Sequence, residues 1–428
     1  MERTYIKDIT PGVRKISGFV ENFRNKKNMA FIVVKDITGK LQVTIIKEEH
    51  PEFNELLDQL TIHSVVTFEG EVVASEYVKL GGKEMYPTSM KIESVADALP
   101  IKDDSDIDVK MDFRWIDLRR DKNQLMLKMQ TTLTNAMREF LVNKDFTEIH
   151  TPKLIGAASE SGSDVFEVKY FDTKAYLAQS PQFYKQMAMA AGLDRIFETG
   201  PVFRAEKSYT NKHATEFTGF DLEFSYVESF EDVMKMEEEL LAYALKAVHD
   251  KHGEDIKELY GLEVIVPTLP FPRMKLADVY AELEERYGFK VPDEVKGDLT
   301  TEAERMTKQL AMDKFGHEFL FITDYDAKER AFYHMRDENG VPQGYDLIWR
   351  GVEITTGAQR EHRYEILKAQ AEEKGLANDV KFYLEFFKYG CPPHGGFGIG
   401  IDRLTMLFLG LSIKEAEFLF RGPNRLTP

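Results

Sequence analysis

The hydrophobic pattern of the chain changes its period across the charged stretch IKDDSDIDVKMD, residues 101–112. Before it, short segments rich in Val, Ile and Phe, such as MAFIVVKD and LQVTII, are separated by turn residues and predict about five β-strands. After it, NQLMLKMQTTLTNAMREFLVNKDF has the spacing of an amphipathic helix. A hydrophobic pattern with the period of a strand does not fit a helix, and the reverse also holds. We therefore predict domains at 1–100 and 126–428, joined by a linker at 101–125.

The first domain is predicted to be a small all-β barrel of the OB type, a fold that often binds oligonucleotides. An SH3-like barrel fits the same pattern. The net charge of the 428-residue chain is −17, which argues against a polyanionic partner. Residues 1–100, however, carry 13 Lys/Arg and 15 Asp/Glu, so their own balance is only −2. This domain remains a candidate for local nucleic-acid binding.

The second domain is predicted to be α+β. Its first helix is expected to end towards Pro152, and a second, SFEDVMKMEEELLAYALKAVHD, begins after Ser229 with Asp232 placed for a capping box. Between them, GPVFRAE and FTGFDLEFSYV alternate with period two, and YDLIWRGVEITTG and GGFGIGI add further strands. The pattern predicts an antiparallel sheet with one face under helices and one charged face for ligands. Residues 250–330 read as an α/β insertion of unassigned role.

The cysteine content restricts the chemistry. Cys391 is the one cysteine, which excludes an intramolecular disulfide or a thiolate metal cluster and points to a reducing compartment. No apolar run approaches the roughly 20 residues of a membrane span, and the start MERTYIKDIT has no apolar signal region. We expect a cytoplasmic protein without a membrane partner.

Three polar groupings carry candidate chemistry, each with an alternative. FRAEKSYTNKHATEF offers a guanidinium for phosphate and a ring for a base, although Arg204 and Glu206 also fit a solvated ion pair. In GGFGIGIDRL, glycines on one strand face leave bare backbone for a flat ligand, or merely kink the strand. In YDLIWRGVEITTG, Asp346 and Glu353 are suited to Mg²⁺ or are structural acids.

Taken together and in order, TEIHTPKL, FRAE…HATEF and GIGIDRL resemble motifs 1, 2 and 3 of class II aminoacyl-tRNA synthetases. GFVENFRNKKNMAFIVVKDITGKLQVTI is similar to the anticodon-binding OB domain of their Asp/Asn/Lys subgroup. FRWIDLRR, QSPQFYKQ, GVEITTGAQREH and NRLTP resemble the short, archaeal/eukaryotic type of aspartyl-tRNA synthetase. The resemblance covers nearly the whole chain.

The resemblance implies that L-aspartate reacts with ATP to give aspartyl-adenylate and pyrophosphate, and that aspartate then passes to the 3′-hydroxyl of tRNA(Asp). The catalytic residues would be Arg204 and Arg403. The ATP site would comprise Arg204, Glu206, Lys212, His213, Phe217, Glu353, Gly400, Asp402 and Arg403. Mg²⁺ would be held by Asp346, Glu353 and Thr356.

For aspartate, the resemblance implies contacts with Glu160, Ser180, Gln182, Lys185, Arg204, Asp221, Thr356 and Arg360. Lys185 and Arg360 would pair with the side-chain carboxylate, and Asp221 would hold Lys185. The anticodon would meet Arg24, Phe31 and Gln42, although Phe31 also fits a barrel core. Motif 1 with Pro152 implies a homodimer.

The alternatives are an asparaginyl-tRNA synthetase, a tRNA-independent paralogue making asparagine, and a catalytically silent tRNA-binding protein. Lys185 favours aspartate, because a buried ammonium opposite a neutral amide would be poorly compensated. The sequence leaves open whether tRNA(Asn) is charged as well.

Overall fold

The computed structural model describes residues 1–156, 165–208, 210 and 212–428. They divide into two units, Met1–Ile116 and Asp117–Pro428. The division falls inside the segment predicted as a linker, 101–125, which contains helical turns as well as extended chain.

The first unit is a closed five-stranded barrel with strand order β1-β2-β3-β5-β4. Its elements are β1 Gly12–Asn25, β2 Met29–Asp36, β3 Gly39–Ile46, α1 Asn54–Gln59, β4 Val65–Ala74, β5 Lys83–Ser94 and α2 Ile107–Asp112. Alternation decides which side chains fill it: Ala30, Ile32 and Val34 of β2 are buried, while their neighbours face outwards. The predicted barrel is confirmed.

The second unit is built on an eight-stranded sheet, counted over the described residues, with order β12-β13-β14-β15-β16-β11-β10-β6. The strands of this sheet are β6 Thr147–Glu148, β10 Arg195–Phe203, β11 Glu216–Ser225, β12 Arg273–Lys275, β13 Phe319–Thr323, β14 Gly344–Trp349, β15 Val352–Arg360 and β16 His394–Gly400. A separate three-stranded sheet consists of β7 Leu154–Ile155, β8 Glu167–Tyr170 and β9 Thr173–Leu177, in the order β7-β9-β8. The run from β13 to β10 is antiparallel throughout.

The helices are α3 Arg114–Asp117 at the unit boundary, α4 Asp121–Val142, α5 Gln182–Ala190, α6 Phe230–Tyr260, α7 Leu276–Tyr287, α8 Thr301–Phe315, α9 Tyr364–Glu373, α10 Lys381–Glu385, α11 Ile401–Leu409 and α12 Ile413–Ala416. The two longest, α4 and α6, cover one face of the sheet. Phe220, Leu222 and Phe224 of β11 join the apolar side chains of α4 and α6 in one core. The residues between them on β11 therefore face the opposite side, as the α+β prediction required.

The helix boundaries differ from those predicted. α4 ends at Val142, ten residues before Pro152, because the chain turns through Asp145, which has φ 64°. The capping box of Ser229 and Asp232 is confirmed, since both of its hydrogen bonds are present. The same helix continues past Asp250 to Tyr260 and ends at Gly261, whose φ of 69° suits a C-cap.

The segment 250–330 is partly absorbed into the main sheet. α6 occupies its first residues, and β12 and β13 extend the sheet beyond β14. α7 and α8 pack against these strands in an apolar cluster of their own. The segment thus forms a lateral extension of the sheet.

Within the described residues, no helix combines the length and apolar character needed to cross a membrane.

Candidate active site

An open cleft of about 340 Å³ lies over the middle strands of the sheet in the second unit. It collects most of the residues assigned from the sequence: Ser180, Gln182, Lys185, Arg204, Glu206, Lys212, His213, Phe217, Asp221, Glu353, Thr356, Gly400, Asp402, Arg403 and Arg360. Asp346 lies just behind the lining. Arg24, Phe31 and Gln42 belong to the first unit, and Glu160 lies outside the described residues.

Lys185 projects into one end of the cleft from α5, which begins directly after Pro181. Its side chain is 1 % exposed, and Nζ lies 3.0 Å from Oδ1 of Asp221 and 3.4 Å from Oε2 of Glu223. Nζ also donates to the carbonyl of Phe397 at 3.3 Å. The lysine is therefore a buried cation with two acidic neighbours, not a solvated surface residue.

Arg360, on β15, completes this cluster. Its Nε donates to Oε1 of Glu223 at 2.9 Å, and its Nη2 donates to the carbonyl of Gly396 at 2.8 Å. Burial pushes the pKa of Glu223 upwards, but Arg360 and Lys185 outweigh it and hold that pKa below its usual value. The four groups, Lys185, Arg360, Asp221 and Glu223, are called the charge cluster below, and their formal charges cancel.

Two glycines of β16, Gly396 and Gly398, leave space for the acidic side chains of the charge cluster. A Cβ on Gly398 would lie 2.5 Å from Oδ1 of Asp221, and one on Gly396 would lie 2.5 Å from Oε2 of Glu223. The absence of side chains at these two positions therefore makes room for the acidic side chains of β11. Gly398 and Gly400 also line the cleft, so the prediction of a bare strand face near a ligand stays open there. At Gly400 a Cβ would meet nothing closer than 3.5 Å.

The other end of the cleft is more exposed. β10 ends at Phe203, so Arg204 and Glu206 lie in the loop after the strand and not on its face as predicted. The Arg204 side chain is 43 % exposed, its Nη1 lies 3.8 Å from Oε1 of Glu206, and its guanidinium is 5.6 Å from the centre of the Phe217 ring. This end therefore presents the Arg204 guanidinium and the Phe217 ring, and the one carboxylate near the guanidinium is at the limit of ion-pair distance.

His213 and Lys212 follow in the same loop. Burial and the nearby Arg403 lower the pKa of His213. Its Nδ1 lies 3.2 Å from Oγ of Ser208 and also contacts the hydroxyl of Thr210. Lys212 donates to both carboxylate oxygens of Glu304, a residue of α8.

Three oxygen-bearing side chains converge beside this end. The hydroxyl of Thr356 lies 2.8 Å from Oδ1 of Asp346 and 3.2 Å from Oε1 of Glu353. A hydroxyl has one proton, so it cannot donate fully to both. Burial and the neighbouring Asp346 raise the pKa of Glu353. Arg330 supplies two hydrogen bonds to Asp346, at 2.8 and 2.6 Å.

A β-bulge brings Glu353 and Thr356 together. Ile348 pairs with Glu353 and Leu347 with Thr355, so Ile354 is an extra residue in β15. Without it, positions three apart would point to opposite faces of a strand. Among the described residues, no group of three or more His, Cys, Asp or Glu side chains is arranged to hold a metal by itself.

Asp402 acts within the protein framework. Its Oδ2 accepts from the backbone N–H of Thr218 at 2.8 Å, and its Oδ1 accepts from Gln130 at 3.4 Å. Burial raises its pKa. These bonds fix the start of α11, from which Arg403 donates to the carbonyl of Glu353 at 2.9 Å.

In the barrel, Phe31 lies on the outer side of β2, partly exposed, whereas Ile32 is buried. The alternative of a barrel-core residue is therefore wrong. Arg24 pairs with Phe31 across the strands and its guanidinium lies 5.8 Å from the ring centre. Gln42 donates to Thr44 at 3.1 Å and to Glu84 at 3.4 Å.

Three supporting residues were not assigned a role from the sequence: Glu223, Glu304 and Arg330. The alternation of β11 put Glu223 on the same face as Asp221, so its position was predictable and only its function was missed. Glu304 and Arg330 reach the site from the segment 250–330, and no local pattern marks them.

Comparison with known proteins identifies the family of each unit. Residues 106–420 match the family described as class II tRNA synthetases (D, K and N), and residues 15–93 match an OB-fold nucleic acid binding domain. The barrel is therefore of the OB type and not SH3-like. The chain is 41 % identical to the aspartate–tRNA(Asp/Asn) ligase of Methanopyrus kandleri, with all of both chains covered.

A second relative, the aspartate–tRNA(Asp) ligase of Pyrococcus furiosus, is 38 % identical over 97 % of this chain and 96 % of its own. Among solved structures, an asparaginyl-tRNA synthetase of Pyrococcus horikoshii with asparaginyl-adenylate has a TM-score of 0.92 at 30 % identity, with both chains fully covered. An aspartyl-tRNA synthetase of Entamoeba histolytica has a TM-score of 0.86 at 30 % identity, covering 100 % of this chain and 93 % of that one. The chain thus belongs to the class II aminoacyl-tRNA synthetases of the D, K and N type and is an aminoacyl-tRNA ligase.

Proposed function

We propose that the chain activates L-aspartate with ATP and transfers it to tRNA(Asp). An oxygen of the aspartate α-carboxylate attacks the α-phosphorus, the bond to the bridging oxygen breaks, and pyrophosphate leaves. The 3′-hydroxyl of the tRNA then attacks the acyl carbon of aspartyl-adenylate and AMP leaves. The two curated relatives described above, which carry the name aspartate–tRNA ligase, support the choice of amino acid.

The charge cluster is the observation that carries the proposal. Lys185 alone does not select a carboxylate, because Asp221 and Glu223 already compensate its charge. Within the described residues, Nη1 of Arg360 makes no hydrogen bond, whereas its other two nitrogens do. A carboxylate presents only acceptors to these donors, while one half of an amide presents N–H groups that would oppose them. This supports aspartate over asparagine.

For aspartate binding, Ser180 and Gln182 would orient the amino acid next to Lys185. Gln182 is itself oriented, since its Nε2 donates to Oε1 of Gln186 at 2.9 Å. Arg204 would bridge the α-carboxylate and the α-phosphate, so that attacking and leaving groups are aligned. Glu160 remains part of the proposal, although it lies outside the described residues.

For ATP, Phe217 would stack on the adenine with Arg403 on its other side, and Glu206 would accept from the adenine amino group. Lys212 and His213 would meet the terminal phosphates. Neutralising charge on the phosphates is the main demand of phosphoryl transfer. The open, cationic end of the cleft supports this placement.

The oxygen cluster of Asp346, Glu353 and Thr356 fits Mg²⁺, because it offers hard oxygen ligands that share one hydroxyl proton. Burial and the neighbouring Asp346 raise the pKa of Glu353, and a bound cation would relieve this repulsion. Mg²⁺ is usually held by one or two carboxylates together with substrate phosphates. When bound, it would supply positive charge to the phosphate oxygens. Asp346 would meet it while still accepting from Arg330.

The first unit would bind the anticodon. A partly exposed Phe31 with Arg24 beside it combines a stacking surface with a cation, which is how OB folds bind single strands. The family resemblance around Pro152 supports a homodimer, and the cysteine content supports the cytoplasm as the site of action.

ATP–pyrophosphate exchange tests the amino acid. We expect L-aspartate to support exchange and L-asparagine to fail. Equal exchange with asparagine would refute the aspartate assignment, and absence of exchange with every amino acid would favour a silent tRNA-binding protein. Aminoacylation of purified tRNA(Asp) and tRNA(Asn) then decides whether one or both are charged.

A further inference from the structure

Glu304 of α8 reaches across to the loop after β10. Both of its carboxylate oxygens lie 2.9 Å from Nζ of Lys212, and its side chain is only 10 % exposed against 27 % for that of the lysine. The two residues are 92 positions apart in the chain. A half-buried ion pair thus joins the lateral extension of the sheet to the cleft wall.

The same carboxylate also binds the main chain of β15. Its Oε1 accepts from the backbone N–H of Glu353 at 2.9 Å. On the other side of that residue, Arg403 donates to the Glu353 carbonyl at 2.9 Å. Glu353 is therefore fixed through both of its backbone polar groups, one of them by Glu304.

The geometry leaves Lys212 able to act on a ligand. An ammonium has three N–H donors, and one carboxylate engages at most two of them. Lys212 lines the cleft, whereas Glu304 does not. The carboxylate therefore lies behind the lysine and leaves a donor available towards the cleft.

We infer that Glu304 is a positioning residue for ATP: it holds Lys212 towards the terminal phosphates and ties that loop to the strand carrying Glu353. The inference rests on the proposed function, and it assigns a role to the segment 250–330. Electrostatics alone predicts the opposite sign. A carboxylate near a triphosphate repels it, so removing its charge should otherwise tighten ATP binding.

The test compares Glu304→Gln with Glu302→Gln, which removes the charge of an exposed glutamate on the same helix. Glutamine keeps an acceptor for the Glu353 N–H and loses only the ion pair. Misplacement of one phosphate-binding group is expected to raise KM for ATP in exchange by about tenfold. KM for aspartate and the thermal midpoint should stay near wild type, as they should in Glu302→Gln.

A double-mutant cycle with Lys212→Met separates positioning from general damage. If Glu304 acts through Lys212, Glu304→Gln adds nothing to Lys212→Met, so their effects on KM for ATP are not additive. Additive effects, an unchanged KM, a lowered KM, or equal losses for ATP and aspartate would each overturn the inference. If the wild-type enzyme shows no exchange with any amino acid, the proposed function fails instead.

Discussion

The two ends of the cleft are built differently. At the amino-acid end, the side chains of Lys185, Arg360, Asp221 and Glu223 are between 0 and 13 % exposed, and each has an oppositely charged partner within 3.4 Å. At the nucleotide end, Arg204 is 43 % exposed and its nearest carboxylate oxygen is 3.8 Å away. One end is an internally neutral, buried network, and the other is a set of half-exposed groups.

This difference has an energetic meaning. Buried charges must be paired during folding, because a partner removed from such a pair leaves an uncompensated ion. The exposed groups remain hydrated without ligand and contribute little to stability. We therefore expect substitutions in the charge cluster to reduce stability and aspartate binding together. Substitutions at the nucleotide end should leave stability near wild type and weaken ATP binding, with aspartate affected only at Arg204, which is proposed to contact both substrates.

The largest effect is expected for Lys185→Leu. It leaves Asp221 and Glu223 buried without their shared cation, which should cost about 3–5 kcal/mol of unfolding free energy. Aspartate-dependent exchange should be abolished. Lys235→Leu, at an exposed position of α6, is the control and should leave both properties near wild type. Denaturant unfolding and exchange kinetics measure the two effects, and a stable, active Lys185→Leu would break the comparison.

The next largest effect is expected for Gly398→Ala, with Gly400→Ala in the same strand, β16, as its control. Gly398→Ala puts a methyl group 2.5 Å from Asp221, whereas the nearest atom at Gly400 is 3.5 Å away. Overpacking typically costs roughly 1–3 kcal/mol, so KM for aspartate should rise about tenfold or more in Gly398→Ala. Gly400→Ala should change it little. Similar KM values for aspartate in the two variants would show that the absence of a side chain at Gly398 is not needed to position Asp221.

Phe217→Ala tests the nucleotide end. Loss of base stacking is worth roughly 1–3 kcal/mol, so KM for ATP should rise about tenfold or more with the melting temperature unchanged. Phe220→Ala, three residues along β11 in the apolar core, is the contrast and should lower stability by about 3–5 kcal/mol. Steady-state kinetics and thermal melts measure both. A destabilised Phe217→Ala would mean that this ring belongs to the core.

The smallest effect concerns pH. Burial opposes the charged form of Glu223, but Arg360 and Lys185 outweigh it and keep the pKa of Glu223 low. Burial likewise opposes the charged form of Arg360, but Glu223 outweighs it and keeps the pKa of Arg360 high. Neither group titrates between pH 6 and 8, so KM for aspartate should not change over that range. The pKa of His213 is lowered, so it is largely neutral at pH 7 in the free enzyme. Phosphates favour its protonated form, and KM for ATP should therefore fall as pH falls.

The size of this fall is expected to be roughly threefold from pH 8 to 6, beyond the change seen in His213→Gln. The variant also corrects for protonation of ATP itself. An identical pH profile in wild type and variant would remove His213 from the phosphate site.

Local signals predicted the elements of the fold well. MAFIVVKD coincides with β2, since its alternation is bounded by turn residues, and the Ser229 capping box depends only on neighbours. The end of β10 was missed because nothing local stops a strand at Phe203. The bulge at Ile354 was missed because period-two reasoning assumes a regular strand.

The site residues on strands were predicted by alternation and by resemblance, and the structure brings them into one cleft. The acidic partners that neutralise the cations of the site were harder to predict. Glu223 bonds Arg360 across 137 residues and Glu304 bonds Lys212 across 92. Which acid neutralises which cation is decided by tertiary packing, so the sequence alone does not show that Asp221 and Glu223 both compensate Lys185.

The most direct measurement is ATP–pyrophosphate exchange by the wild-type enzyme with L-aspartate and L-asparagine under identical conditions. If the charge cluster selects a carboxylate, kcat/KM should favour aspartate by about 10⁴-fold, the range reached when a site's buried polar groups reject the wrong partner. Comparable kcat/KM values for the two amino acids would contradict the account.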